Sequence, residues 1–592
     1  MSTVAVDQRL ADLLRMADGA FSPERCMATL EAIFASDRRG DFRAFRETAQ
    51  LVRREFEEAG LSEIEVIAHP ADGIRKHGDW IVPQAWDAFG GELRIVAPNP
   101  RLVASHPDEP LALAMWSAPT PEGGVEAEMV LWEDADEDLT GRIVFTSRRV
   151  REVADEAMGR GAVGLISDYA RTDAVDPTAR YWENYCFVPR NESGGFAFIL
   201  SPAEGEQLRG DVRRARAAGA PLMVKATVDT RLYDGEVDIV TGVMPGAEDA
   251  EEVLLVAHLY EIGANDNCSG AALCIEVARA LTELIASGEL PRPRRGIRVL
   301  LCYEQYGTIA YLEKNRERGA SIVAGLNADM VGEDQELCGS VLNIDNTPAA
   351  SPSYTNDLIA RLFELQNRTF PEFQWKETRY QVHDGFISDP MIGIATPTLL
   401  HQPDCFYHSD ADTPDKVSLE TLRIVGAAVA AYACMIADAG PDEARMLAEL
   451  SHARGKDGRV AESVLRLVPG DEREQVAAGI AEWACEADVA GPEPVTPEDH
   501  LAASMVPERV MYGSPTMADL SPEATAEFAE ITSDTFPYSA RLCSVLFWAD
   551  GQRSVLEIRD RLAQERGEAD LDMLVRFFRF MHKYGYCRLR SG

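Results

Sequence analysis

An α/β fold built on a mostly parallel sheet is expected from three observations. Between residues 235 and 440, short apolar runs alternate with helical patterns, the order of a parallel sheet covered by helices. Four of those runs (EVLLVA, GIRVLLCY, SIVAGLNA and ATPTLL) read as strands, each followed at once by polar, chemistry-bearing residues. At 592 residues the chain is too long for one hydrophobic core, so this sheet is expected to be one unit among two to four.

In chain order, residues 24–60 carry two amphipathic helical patterns that stop at Gly60 in EEAGL. A β-rich stretch follows through GGELRIV and VAPNPRLVASHPDEP, and 1–99 reads as the N-terminal part of the main domain. Residues 100–234 mix both periods. LTGRIVFTS is strand-like, REVADEAMGRGAVGLISD is a helix and then a buried strand, and EGEQLRGDVRRARAAGA is a charged helix before PLMVKATVDT. This stretch is expected to be a compact inserted module.

Residues 235–440 form the core. EVLLVA (252–257) precedes a long helix from Ser269, and GIRVLLCY (296–303) precedes a helix from about 307. SIVAGLNA (321–328) and ATPTLL (395–400) supply two more strands before the helix LETLRIVGAAVAAYACMIADA. Residues 441–495 read as a helical connector, and 496–592 as a separate unit. From about 536 that unit runs helix, turn at Asp550-Gly551, helix, helix and short strand, an order resembling a small winged-helix domain.

Composition narrows the function classes. Hydrophobic residues at 46% and charged residues at 26% describe a globular chain. The net charge of −40 argues against nucleic acid or an anionic membrane as a general partner. The segment from Pro537 is different, with nine Arg and one Lys against seven acidic residues. The plainer expectation there is still a packing or protein-docking module, which leaves a protein partner or homo-oligomer open. No apolar run approaches the ~20 residues that cross a bilayer, and MSTVAVDQRLADLLRMADGAF lacks the basic start and apolar core of a signal peptide. Eleven scattered cysteines with no C-x-x-C fit a reducing compartment, so a cytoplasmic location is expected.

In open α/β sheets, ligands bind beyond the carboxyl ends of the strands. His258 follows EVLLVA, Glu304 follows GIRVLLCY and Asp329 follows SIVAGLNA. ATPTLL leads to His401 and then to FYHSDADT with His408. Imidazoles and carboxylates together suit zinc in an open site. Asp266, with two oxygens, could bridge a metal pair, and Glu304 is the natural proton acceptor. The plain alternative for Asp266 and Asn267 is capping of the helix that begins near Ser269, which is compatible with ligation. His69, His77, His106, His452, His500 and His582 have no such partners in the sequence and are taken as structural or exposed. Cys268 and Cys302 read as packing residues rather than nucleophiles.

His258, Asp266-Asn267-x-Ser269-Gly270, Tyr303-Glu304, Asn327-Ala328-Asp329-Met330-Val331-Gly332 and Tyr407-His408-(three residues)-Asp412-Thr413-Pro414-Asp415-Lys416 fall in an order that resembles zinc-dependent aminopeptidases. The resemblance covers about 235–440, with the N-terminal helices compatible. It implies a phosphorylase/hydrolase-like zinc-peptidase core, a protease-associated-type insert at 100–234 and a bacterial subgroup with a C-terminal winged helix. His258 and Asp329 would then hold one Zn²⁺, His408 the other, and Asp266 would bridge them. Glu304 would be general base and then acid, Tyr407 would stabilise the oxyanion, Asp412 would support the ligands, and Ser388-Asp389 would lie near the substrate pocket. His383 and His401 are placed near the pocket mouth as weaker substrate contacts.

Two positions depart from the family pattern. Where an aspartate usually follows the first histidine by two residues, Tyr260 stands, and where a second glutamate usually follows the base, Gln305 stands. Neutral Gln is a poor zinc ligand. The leading expectation is an aminopeptidase acting on small peptides or a peptide-like metabolite, with metal-activated water and one or two zincs. The alternatives are a single-zinc enzyme of the glutaminyl-cyclase or amidohydrolase kind, and an inactive peptide-binding scaffold.

Overall fold

The computed structural model describes residues 3–591 apart from 136, 173, 184, 249–250, 456–457, 485–492, 519, 534–538 and 568. The end of the expected connector (485–492) and the opening of the C-terminal helical segment (534–538) lie outside the described residues. The chain is a mixed α/β protein with more than one sheet.

The main sheet has eight strands, in the order Ser62–Ala71, Gly235–Met244, Gly296–Tyr303, Glu252–Leu259, Ile322–Asp329, Thr398–Gln402, Val341–Asp345, Trp375–Thr378. Its centre is the four strands read from the sequence, all parallel. His258 pairs with Cys302, and Asp329 pairs with Leu400, so the carboxyl ends reach one edge together. The outer neighbours on both sides run antiparallel to this centre. Every residue of Gly296–Tyr303 and Ile322–Asp329 is buried, as expected for strands covered on both faces.

The helices Cys268–Ser287 and Leu419–Asp438 pack on this sheet and on each other. Leu419–Asp438 corrects one expectation. Its 20 residues are long and apolar enough to cross a bilayer (mean hydropathy 1.6), yet 83% of that stretch is buried inside the fold. Its alanine-rich surface lies against the N-terminal helix Thr3–Ala20 as well as Cys268–Ser287. The two further N-terminal helices are Pro23–Asp37 and Phe42–Glu58. Ser22 caps the first, with Pro23 in its opening turn, and Asp41 caps the second by accepting from the Ala44 N–H at 2.8 Å.

A seven-stranded second sheet takes its strands from Ala85 to Tyr233. GGELRIV lies inside its long strand Ala85–Ala97, which pairs antiparallel with Met223–Tyr233. Val125–Leu131, Ile143–Thr146, Gly164–Ser167 and Ala197–Ile199 extend it as a parallel run. This unit is tied to the segment that carries His408. The Trp182 N–H donates to the His408 carbonyl at 2.7 Å, and the Arg180 N–H donates to Asp410 Oδ1 at 2.9 Å.

The C-terminal unit has its own core around Phe528, Leu546, Trp548, Phe577 and Phe578, and Met505–Arg509 pairs antiparallel with Cys587–Ser591. It docks through a buried ion pair. Arg509 Nη1 lies 2.8 Å from Asp389 Oδ2, and the Gly513 N–H donates to the same oxygen at 2.7 Å. Removing one partner of a buried pair strands the other charge at a cost of ~3–5 kcal/mol. Arg509→Met is therefore expected to loosen the C-terminal unit by about that amount, seen as faster limited proteolysis and an earlier melting transition. Arg509→Met combined with Asp389→Leu should recover most of the loss.

Candidate metal centre

The carboxyl ends of three parallel strands deliver His258, Glu304 and Asp329, and the turn after the fourth delivers His408. Each arrival depends on a left-handed residue that is not glycine: Tyr260 at φ 72°, Gln305 at 54°, Met330 at 49° and His408 at 56°. Such conformations cost ~1–3 kcal/mol each and persist where surrounding structure enforces them. Tyr260 is enforced on both sides. Its N–H donates to the buried Asp37 at 2.9 Å, and its hydroxyl donates to the Asp238 carbonyl at 2.6 Å. Burial holds Asp37 at about 7.

Two donor sets share Asp266. On one side His258 Nε2 lies 3.5 Å from Asp266 Oδ1 and 3.3 Å from Asp329 Oδ1. On the other, His408 Nε2 lies 3.1 Å from Asp266 Oδ2 and 3.6 Å from Glu261 Oε2. Zinc bound to nitrogen and oxygen at ~2.0–2.2 Å in a tetrahedron sets neighbouring donors about 3.3–3.5 Å apart. The His258 distances fall on that edge, and the His408 distances, 3.1 and 3.6 Å, lie to either side of it. Asp266 Oδ2, in the His408 set, and Asp329 Oδ1, in the His258 set, are buried and make no hydrogen bond of ordinary geometry.

Electrostatics agree with a site made for cations. Burial raises Glu261 well above the ordinary carboxylate range, and Asp266 beside it adds to the rise. Burial also pushes Asp266 up, but His408 and His258 outweigh it and hold Asp266 below its ordinary value. Burial lowers His258, yet Asp329 overrides it and the net direction is up. Burial lowers His408, and Arg149 and Arg171 add to that against the pull of Asp266. Adjacent buried carboxylates do not all ionise unless positive charge is supplied. The residues form two candidate donor sets whose His and carboxylate chemistry fits zinc.

Glu304 faces the same cavity, and burial raises it to about 7 against the opposing pull of His258. Gln305 is not drawn into either donor set. Its side-chain amide donates to Glu304 Oε1 at 3.4 Å, and its N–H donates to Asp384 Oδ1 at 2.7 Å. Thr308 donates to the same Asp384 oxygen at 2.8 Å, fixing the turn. Gly307 belongs to it because a Cβ there would meet the Cys302 Cβ at 2.5 Å. Tyr407 stacks on the His408 ring at 3.8 Å, and burial among acids raises its pKa, keeping the phenol protonated as a donor.

Two expected supporting residues are in place. Asp412 accepts from the Asn265 N–H at 3.0 Å and the Asp266 N–H at 3.1 Å, and it packs so close to Gly263 that a Cβ there would meet it at 2.2 Å. Asn267 caps the helix Cys268–Ser287 through the Gly270 N–H and accepts from the Met330 N–H at 3.1 Å, joining the Asp266 and Asp329 turns. Removing a residue that orients metal ligands typically costs 10–100-fold in affinity. Asp412→Ala is expected to weaken zinc binding by about that factor, measured by competition with a chromophoric chelator.

His383 lines the cavity, with Nε2 3.1 Å from Asp345 Oδ2. Three weaker expectations are corrected. His401 donates from Nδ1 to the Met330 carbonyl at 2.7 Å behind the cavity, and burial lowers it to about 4. Ser388 is consumed by both backbone groups of Thr396, and Asp389 by Arg509. None of the three lines the cavity. The residue missed is Glu261, three residues after His258, which stands beyond the left-handed Tyr260 and faces His408. A further buried donor group, Glu333, Cys338 and Asp404, lies beside the cavity that Asp404 lines.

Residues 31–431 match the sequence family described as a domain of unknown function (DUF4910). No curated protein matches the chain. Among solved structures, a zinc aminopeptidase from Bacillus subtilis, BSAP, aligns at 18% identity with a TM-score of 0.51, covering 70% of this chain and 94% of its own. A peptidase M28 precursor from Shewanella amazonensis SB2B aligns at 17% identity with a TM-score of 0.52, covering 74% and 98%. A protein from Clostridium acetobutylicum covers 100% of both chains at 14% identity and a TM-score of 0.51. At these identities the likeness establishes the shared fold.

Proposed function

The chain belongs to the DUF4910 family, whose description assigns no activity, and from its site we propose that the protein is a two-zinc aminopeptidase acting on small peptides or a peptide-like metabolite. The observation that carries this reading is Asp266, whose two oxygens face two histidine–carboxylate donor sets at zinc-like spacings. The zinc aminopeptidase and M28 peptidase among the fold neighbours support the same reading. Glu261 favours the two-metal form over the single-zinc alternative, because it supplies the carboxylate that Gln305 does not.

His258, Asp329 and Asp266 would hold one ion, and Glu261, His408 and Asp266 the other. The pair would supply Lewis-acid polarisation of the scissile carbonyl and a lowered pKa for water. Glu304, held near neutrality, accepts a proton from the attacking water and returns it to the leaving amine. Gln305 orients Glu304 through its amide, and Asp384 fixes the turn beneath both. Tyr407 keeps its proton and donates toward the oxygen on which negative charge develops. The acids lining the cavity, Asp345 and Asp404 among them, receive the substrate's free amine. We read the second sheet as a protease-associated-type module that narrows access, and the C-terminal unit as a winged-helix-type docking module.

The purified protein is expected to carry about two zincs per chain, to cleave aminoacyl amides, to lose cleavage to a chelator and to regain it with added zinc. Elemental analysis with an aminoacyl-substrate panel checks this. Equal cleavage of N-acetylated substrates would overturn the aminopeptidase assignment, and one tightly held zinc would overturn the two-metal form.

A further inference from the structure

The metal centre sits between two lobes of opposite character. One lobe, about 600 Å³, is lined mainly by acids, Glu261, Asp266, Asp329, Asp345 and Asp404, against the cations Lys376 and Arg171. The other, about 550 Å³, is lined by Arg149, Arg151 and Arg171, with Glu304 as its acid. Glu304, Tyr407 and His408 form the wall common to both, and Arg171 and Val382 stand at the junction, lining both lobes.

The arginines come from a different unit than the metal ligands. Arg149 and Arg151 follow the strand Ile143–Thr146, and Arg171 follows Gly164–Ser167. They thus occupy the carboxyl ends of the parallel strands of the second sheet, where open sheets place ligands. Their position against the metal centre is fixed by the Trp182–His408 and Arg180–Asp410 bonds. Arg171 lies over the Tyr407 ring at 5.0 Å, and Arg149 over the Tyr169 ring at 5.2 Å. Arg149 also lies 3.6 Å from Glu183, a buried carboxyl that burial raises to about 7 against the pull of Arg149 and Arg151. In a chain of net charge −40, this concentration of guanidinium groups beside a catalytic wall runs against the general field. Guanidinium forks match the planar geometry of a carboxylate.

We infer that the arginine lobe is a carboxylate subsite and that the substrate is a short peptide with a free α-amine at one end and a carboxylate a residue or two beyond the scissile bond. This rests on the aminopeptidase reading for the direction of the chain: amine into the acidic lobe, scissile carbonyl at the wall, carboxylate among the arginines. It adds a requirement that reading does not contain, because an aminopeptidase needs only the amine end.

The test separates the two readings. Calorimetry on zinc-loaded Glu304→Gln protein, which should bind without turnover, compares alanyl-alanine with alanyl-alanine amide. The free acid is expected to bind at least tenfold more tightly, and Arg171→Gln and Arg151→Gln should each cut that ratio severalfold, with Arg171→Lys intermediate. Equal affinity for acid and amide, or no binding of the free acid at millimolar concentration, overturns the subsite with no dependence on any variant of an arginine. Wild-type hydrolysis of the same pair is followed in parallel. Preferential binding of the acid without cleavage of either compound would leave the subsite standing and remove the peptidase assignment.

Discussion

Glu304→Gln is expected to lower kcat by about 10²–10⁴-fold, the range for loss of a general acid–base, while zinc content and fold stay unchanged. The substitution keeps shape, and a side-chain amide oxygen can still accept from Gln305 as Glu304 does at 3.4 Å. What disappears is the basic group. The wild-type kcat/KM should fall as pH drops and Glu304 takes up its proton. Burial and the neighbouring acids, against the pull of His258, set that point at about 7, and cations beside it would move it lower. The acid limb should be absent from the residual activity of the variant. Stopped assays across pH 5 to 8, with elemental analysis of the same samples, check both parts. Loss of zinc alongside activity would instead make Glu304 a ligand.

The second large effect is expected from Asp266→Asn. One oxygen faces His258 at 3.5 Å and the other faces His408 at 3.1 Å. Replacing either with an amide group removes a ligand from at least one ion and negative charge from both. Zinc affinity should fall by more than the ~10–100-fold expected for a supporting residue, and activity should reach background. Glu261→Gln provides the contrast. It touches the His408 side only, so about one zinc per chain should remain, on His258, Asp329 and Asp266. Retention of two zincs by Glu261→Gln would show that the second set is completed by another residue.

The strand ends were legible because His258, Glu304 and Asp329 each follow an apolar run directly, and parallel strands bring such positions to one edge without further information. Asp266 was legible as well, since a helix cap and a ligand both need a short acid at the same sheet end. Glu261 was not, because the turn at Tyr260 takes a left-handed conformation that no β-propensity signals. The arginine lobe was also hidden: Arg149 and Arg171 reach the site only when a second sheet folds against the turn holding His408. Ser388-Asp389 shows the opposite failure. The pair matched a motif, but Arg509, 120 residues away along the chain, takes the carboxylate for docking. Local pattern reports what a residue can do, and long-range partners decide what it does.

The left-handed turns at Tyr260, Gln305 and Met330 have a consequence for anyone improving the protein as a reagent. Glycine at these three positions would relax the backbone locally, and a search for higher melting temperature would be drawn to them. Yet these turns aim the candidate donors and Glu304, and the side chain of Gln305 also hydrogen-bonds Glu304. Gains in durability and gains in turnover therefore diverge here, and hardening the scaffold is best directed to surfaces far from the carboxyl edge of the main sheet.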